Sequence, residues 1–329
     1  MKYIQLLIGV IILTLGCSVL SQSKNILTYS RTIELPNVEG RIDHMSIDIK
    51  SNRLFIAALG NNSIEVVDLK SGKDIHSITG LKEPQGVYYY SKKDLLFVAS
   101  AGDGTCKVFN ASNFKLLKVI QLGIDADNIR YDKKRKIVFV GFGLGGIATI
   151  DPVKIKLLYN VNLPSHPESF QIDETKGLLF VNVPDAGQID VIDIIKRRVI
   201  KRINLDLRGN FPMALDTLHH VIFVGSRKPP KLIVFDESPL RMILEKNISS
   251  DADDIFYDSS LSLIFVSCGS GNINIFKLTN SNGIILKKSI ETLPGARTSL
   301  YVPELNKFFL AARSNNGKNA RIIEYLINS

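Results

Sequence analysis

Twelve residues ahead of a phenylalanine that recurs along this chain stand Asp43, Gln85, Asp127, Glu168, Phe211, Asp253 and Arg297. All but Phe211 are polar, and four are acids. The next position adds His44, Asn128, Ser169, Asp254 and Thr298, and Arg41, His166 and Asn210 lie close by. A hydrophobic core does not use such residues, because an unpaired buried charge is costly. Two chemistries suit them. Carboxylates with two histidines suit a divalent cation: either His44 and His166 are ligands with Asp43, Asp127, Glu168 or Asp253, or Asp127, Glu168, Asp253 and Asp254 hold the ion. His44 or His166 would then be the base beside a polarised carbonyl. Arg41, Arg227, Arg297 and Arg313 suit the opposite task. A guanidinium fork pairs bidentately with a carboxylate or phosphate.

These residues share a function only if the fold gathers them, and the repeat says that it does. An aliphatic or aromatic residue followed by Phe recurs as Leu54-Phe55, Leu96-Phe97, Val138-Phe139, Leu179-Phe180, Ile222-Phe223, Ile264-Phe265 and Phe308-Phe309. Successive Phe residues are 42, 42, 41, 43, 42 and 44 positions apart. Short strands at a period of roughly 40–45 residues mark the blade of a β-propeller. In the second repeat, 86–90 reads as a first strand, 95–99 as an apolar second, 106–109 as a third and 116–122 as a charged outer strand. Third strands are expected at 64–67, 147–150, 189–192, 232–235, 273–276 and 321–325. Asp48, Asp132, Asp173, Asp216 and Asp258, seven residues before the Phe, are turn formers whose carboxylates bind backbone amides. So are Asp68, Asp151, Asp193 and Asp236 after the third strands.

The expected fold is therefore all-β: a seven-bladed propeller of four-stranded antiparallel blades. The seventh repeat supplies only three strands, near 298–302, 307–312 and 321–327. Residues 26–35 have the character of an outer strand and would complete that blade, leaving no sheet edge unpaired. Seven-fold geometry then brings the register at the innermost strand's entry to the mouth of the central channel. The loops between second and third strands share that face and add Asn61-Asn62, Asp103, Asp185, Arg227-Lys228-Pro229-Pro230, Ser270 and Arg313. An alternative use of these charges is to pair with one another and with water.

Composition bounds the rest. The 329 residues are 45% hydrophobic and 22% charged, an ordinary globular balance. Residues 1–21 read as a signal peptide: Lys2, an apolar run over 4–15, then Gly16-Cys17-Ser18. Either Cys17 is acylated and attaches the protein to a membrane, or cleavage after Val19-Leu20-Ser21 releases it. Residues 22–329 form the propeller, at the periplasm or outer surface. Cys106 and Cys268 fall in non-neighbouring repeats, too far apart for a disulfide. The formal charge of +9 suits phosphate or anionic lipid as readily as a solvated basic exterior. Nucleic acid is disfavoured by the acids on the site face and the lack of Trp. Gly141-Phe142-Gly143-Leu144-Gly145-Gly146 imitates a dinucleotide fingerprint, but it joins two strands, and that motif requires a strand-turn-helix setting.

Strings such as Asn52-Arg53-Leu54-Phe55-Ile56-Ala57, then Ser63-Ile64-Glu65-Val66-Val67-Asp68 and Ser71-Gly72-Lys73, resemble the YVTN-type, YncE-like bacterial β-propellers. The resemblance covers residues 26–329. It implies an exported binding scaffold, and some relatives have nucleic-acid or metal-linked roles. Lactonases, streptogramin lyases and quinoprotein dehydrogenase subunits are similar propellers, whose catalytic sets have no clear match here. The expected function is non-enzymatic binding of a small anionic ligand or a peptide partner by a monomer. Its site would be Arg41, Asp43, His44, Gln85, Asp127, Asn128, His166, Glu168, Asn210, Arg227, Asp253, Asp254, Arg297 and Arg313. The alternative is a metal-assisted lactonase- or lyase-like enzyme with a divalent cation at the same site, and a further, less favoured one is nucleic-acid binding. Deleting residues 24–36 is expected to destabilise the whole ring; a thermal melt as high as the parent's would refute the closure.

Overall fold

Alternate residues of a β-strand point to opposite faces, so the recurring dipeptide can stitch two interfaces at once. The computed structural model describes residues 25–279, 283–315 and 317–328, and the signal-peptide reading of 1–21 lies outside them. Seven four-stranded antiparallel sheets stand around one axis, six of them with their strands in sequential order. Blades 1 to 6 span residues 45–78, 84–121, 129–162, 170–204, 208–247 and 252–291. Phe55 of blade 1 packs with Leu96 and Val98 of blade 2. Phe97 packs with Val138 and Val140 of blade 3, and Phe139 with Leu179 and Val181 of blade 4. The pattern continues to Phe309 of blade 7, which packs with Leu54 and Ile56 of blade 1. In each repeat the Phe thus faces the following blade and the residue before it faces the preceding one. Every repeat Phe is at most 2% exposed. Burying such a side chain contributes about 1.5–3 kcal/mol.

Blade 7 closes the ring with both ends of the chain. Its inner strands are Ser299–Val302, Lys307–Ala312 and Ala320–Ile327, and its outer strand is Leu27–Leu35. The outer pair runs from Leu27 opposite Ile327 to Leu35 opposite Ala320. Ile33 and Leu35 are fully buried there. Arg31 and Lys307 clasp the buried Glu324 at 2.9 and 2.8 Å. Burial would raise the Glu324 pKa, but the two cations hold it below its ordinary value.

The strand-end acids are turn formers. Asp48 accepts from the Ser51 amide, Asp132 from Arg135, Asp173 from Thr175 and Lys176, Asp216 from Leu218 and His219, and Asp258 from Ser260 and Leu261. Asp68, Asp151, Asp193 and Asp236 do the same. Cys106 and Cys268 are buried and unpaired, and burial pushes both thiols up to about 12.

The innermost strands line the channel, running from an upper mouth to a lower one. At the upper mouth blade 2 places Gly86 where other blades carry His44, Asn128, Ser169, Asp254 or Thr298. A Cβ on Gly86 would lie 2.1 Å from the carbonyl oxygen of Asp127. The glycine lets blade 3 approach and sets Asp127 in place. Gly86→Ala is expected to cost about 1–3 kcal/mol of stability through overpacking, measured by urea denaturation; an unchanged midpoint would show the contact to be slack.

Candidate functional site

The upper mouth divides into two sectors. In the first, blades 5, 6, 7 and 1 bring four arginines against three carboxylates. Arg41 Nη2 lies 2.6 Å from Asp43 Oδ2. Arg297 Nη1 donates to both oxygens of Asp251 at 2.7 and 2.8 Å, and its Nε lies 3.1 Å from Asp253. Arg227 pairs with Asp253, reaches Asp251 at 3.2 Å and donates to the Ala252 carbonyl at 3.0 Å. Its guanidinium sits 3.7 Å over the Phe211 ring. Phe211, the apolar member of the entry register, is thus a cation–π platform. Arg41, Arg297 and Arg313 line a common recess of about 70 Å³ with Asp251. Arg313 is exposed, and among the described residues it has no carboxylate in ion-pair range.

Two glycines make room for this network. A Cβ on Gly269 would meet Asp251 Oδ2 at 2.0 Å. One on Gly295, whose φ is +83°, would meet Arg313 Nε at 2.7 Å. Asp251 itself lay outside the register read from the sequence. It belongs to a second register, fourteen residues before the repeat Phe, occupied by Arg41, Glu83, Asp125, His166, Gly209, Asp251 and Gly295. Aligning that position would have found both Asp251 and Asp125.

The second sector joins blades 1 to 4. His44 Nε2 stands 3.8 Å from Asp43 and 3.7 Å from Asp127, too far for direct hydrogen bonds but close enough for strong attraction. His166 Nδ1 lies 3.0 Å from the Gly143 carbonyl. A carbonyl only accepts, so Nδ1 carries a proton. Nε2 then faces Asp127 Oδ2 at 3.8 Å. Asp125 stands 3.3 Å from Nδ1 and takes a 3.3 Å bond from Gln85 Nε2. Asp127, His166 and Glu168 each offer a ligand atom within 4.8 Å of the others.

The candidate metal ligands do not all come together. Asp253 is held by Arg227 and Arg297, and Asp254 accepts the Ser299 amide at 2.6 Å. Neither belongs to the cluster, whose third member is His166. Asn210 is also diverted. It is fully buried and donates to Asn182 Oδ1 and the Gln188 carbonyl at 3.1 and 3.0 Å, bracing blade 4 against blade 5. Asn128 is buried beside Asp127, and its Oδ1 lacks a hydrogen-bond partner.

Crowded carboxylates in a poorly solvated mouth disturb one another. Burial raises Asp43 to about 6 against the pull of His44 and Arg41. It raises Asp254 to about 7, with His44 opposing. Glu168 is driven well above its ordinary value by burial and by repulsion from Asp127. Burial opposes the ionised form of Asp127 too, but His166 and His44 outweigh it and hold this carboxyl below its usual range. For His44, burial favours the neutral ring, yet Asp43, Asp127 and Asp254 raise its pKa. His166 reaches about 9, because Asp127 and Asp125 outweigh its burial.

A family model described as YNCE-like beta-propeller matches residues 34–222. Among solved structures, a chain of Kuenenia stuttgartiensis hydrazine synthase is similar at 14% identity and a TM-score of 0.74, over 94% of this chain and 99% of that one. A chain from a crystal structure of a mitotic checkpoint complex is similar at 12% identity and a TM-score of 0.80, over the full length of both. At such identities the likeness is one of fold alone. No match was found among curated proteins.

The mouth's titrations give its stability a direction with pH. Raised carboxyl pKa values contribute stability that is present below about 4 and lost as pH rises through about 6 for Asp43 and about 7 for Asp254. His166 contributes stability that is present below 6.5 and lost as pH rises through about 9. Denaturant midpoints between pH 6.5 and 9 are expected to fall in the parent and to fall less in His166→Gln. Equal falls in both proteins would show that His166 gains no proton affinity on folding.

Proposed function

The chain belongs to the YncE-like β-propeller family, and we propose that it is an exported binding propeller whose upper channel mouth takes the carboxylate or phosphate of a small anionic ligand. The observation that carries this reading is the charge balance of the arginine sector. Four guanidinium groups face three carboxylates, and the one left over, Arg313, lines the recess with Arg41 and Arg297. An arriving oxyanion would find in Arg313 a guanidinium fork with no carboxylate partner among the described residues, in a space that the missing side chain of Gly295 leaves open. The other arginines are fixed by Asp43, Asp251 and Asp253, so little side-chain ordering remains to be lost on binding. The export part of the reading is supported by the leader-like sequence of residues 1–21.

A second reading has its own observation. The His166 ring is oriented through Nδ1 by a backbone carbonyl, the support that metal-ligating histidines characteristically have. Beside it Asp127 Oδ1 is buried with no hydrogen-bond partner among the described residues. Asp127, His166 and Glu168 would hold a divalent cation, which could polarise a substrate carbonyl. Binding would displace the His166 proton, so affinity would rise with pH up to about 9.

Thermal shift in low salt separates the two. Inorganic phosphate or citrate is expected to raise the melting temperature of the parent by mass action and not that of Arg313→Ala. Zinc or manganese raising it instead, with the effect lost in Glu168→Gln, would favour the second reading. No shift with either probe would count against the mouth as a ligand site.

A further inference from the structure

The lower half of the channel holds a larger space. It encloses about 820 Å³, within the range of roughly 300–1,000 Å³ usual for small-molecule sites. His44 and Asp254 line it together with residues of the lower turns, Lys50 and Lys133 among them. Its wall includes a third register, nine residues before the repeat Phe: Ser46, Tyr88, Arg130, Gln171, Phe256 and Leu300, with Met213 contributed by blade 5. Two polar members of this register brace adjacent blades. Ser46 Oγ accepts from the Tyr89 amide at 2.9 Å, and Gln171 Nε2 donates to the Met213 carbonyl at 2.7 Å.

Arg130 is different. Its Nη1 donates to the carbonyl of Ile129 at 2.9 Å, and its guanidinium lies 5.8 Å from the Phe170 ring centroid. Among the described residues no carboxylate stands within ion-pair distance of it. A partly buried cation without a counter-ion is an unfavourable element of a fold on its own. The acids that act on it from a distance are Asp254 and Asp127, and burial outweighs them, lowering the Arg130 pKa. Asp254, at about 7, is only partly ionised near neutrality and compensates it poorly.

The cavity also has flat apolar walls. Tyr88 and Tyr131 stack at 5.8 Å, and Phe256 lines the same space. Lys50 and Lys133 are exposed at the lower mouth and favour entry of an anion; the acids lining that end are Glu304 and Asp48, the latter paired with Arg53 at 2.8 Å. We propose that the lower channel is a second binding site, distinct from the arginine sector above, for a compact aromatic carboxylate whose anionic group pairs with Arg130 and whose ring lies among Tyr88, Tyr131 and Phe256. The guanidinium supplies a planar fork for the carboxylate, and the aromatic side chains supply area with little rotamer freedom to lose.

Calorimetric titration of the purified full chain tests this with three probes: 2-naphthoate, its neutral amide and octanoate. Naphthoate is expected to bind one per chain. The amide should bind about 10–100-fold more weakly, the loss expected for a charge-assisted hydrogen-bonded pair, and octanoate also more weakly. Arg130→Gln should reduce naphthoate affinity by a similar factor and leave the amide's unchanged. Absence of naphthoate binding at millimolar concentration, equal affinity for acid and amide, or undiminished binding by Arg130→Gln would each overturn the proposal. Octanoate binding as tightly as naphthoate would overturn the aromatic part. Should that variant fail to fold, the ratio of acid to amide measured in Arg313→Ala, which removes the free cation of the upper mouth, still decides: an unchanged preference for the acid supports the lower site, and its loss overturns it.

Discussion

A strand from the start of the chain pairs with a strand from its end, and this one ladder holds the channel together. Leu27–Leu35 lies against Ala320–Ile327, burying Ile33 and Leu35 at the seam. The entropy of closing so long a loop grows only with the logarithm of its length, so a single well-packed ladder is enough. Glu324, held by Arg31 and Lys307, adds a polar lock that a slipped register would break. With the seam closed, seven wedge-shaped sheets leave a shaft along the axis. Whatever the innermost strands carry at one level is forced into one ring, however distant in sequence.

That compulsion explains the electrostatics. At the upper mouth the arginine sector is nearly self-neutralised, and its carboxylates serve as braces for guanidinium groups. The acid–histidine sector is bound less tightly, through gaps of 3.7 and 3.8 Å around His44 and His166. Gaps of that size leave attraction without a fixed geometry, a condition that favours exchange with an incoming ion. His44 belongs to both halves of the channel, since it faces Asp43 and Asp127 above and lines the cavity below. A charge arriving on either side would be felt on the other through this ring.

The architecture was readable in the sequence because one rule, a Phe and its predecessor facing opposite blades, is repeated seven times without exception. Turn acids such as Asp132 and Asp173 were readable for the same reason: their partners are two or three residues away. The entry register and the position after it bring His44 within reach of Asp43 and Asp127, Glu168 beside Asp127, and Arg297 beside Asp253. What it could not give was pairing. Whether Asp253 turns to Arg227 or toward His166 depends on blade spacing, and that spacing is set by packing between sheets. Asn210 illustrates the limit: it has a site residue's chemistry and adjoins the entry register, yet its amide NH2 is consumed by Asn182 and a backbone carbonyl. Arg130 shows the converse. It sits mid-strand, three residues beyond the entry, where alternation marks the channel wall but not the space in front of it.

The central claim is that blades 1, 3 and 4 share one electrostatic field around Asp127. Proton NMR titration of the histidine Cε1 signals measures it directly in the parent and in Asp127→Asn. His44 should titrate above 6.5 and His166 near 9 in the parent, and both values should drop in the variant. A drop in neither, or in His166 alone, would mean that the residues gathered on paper do not meet in the channel.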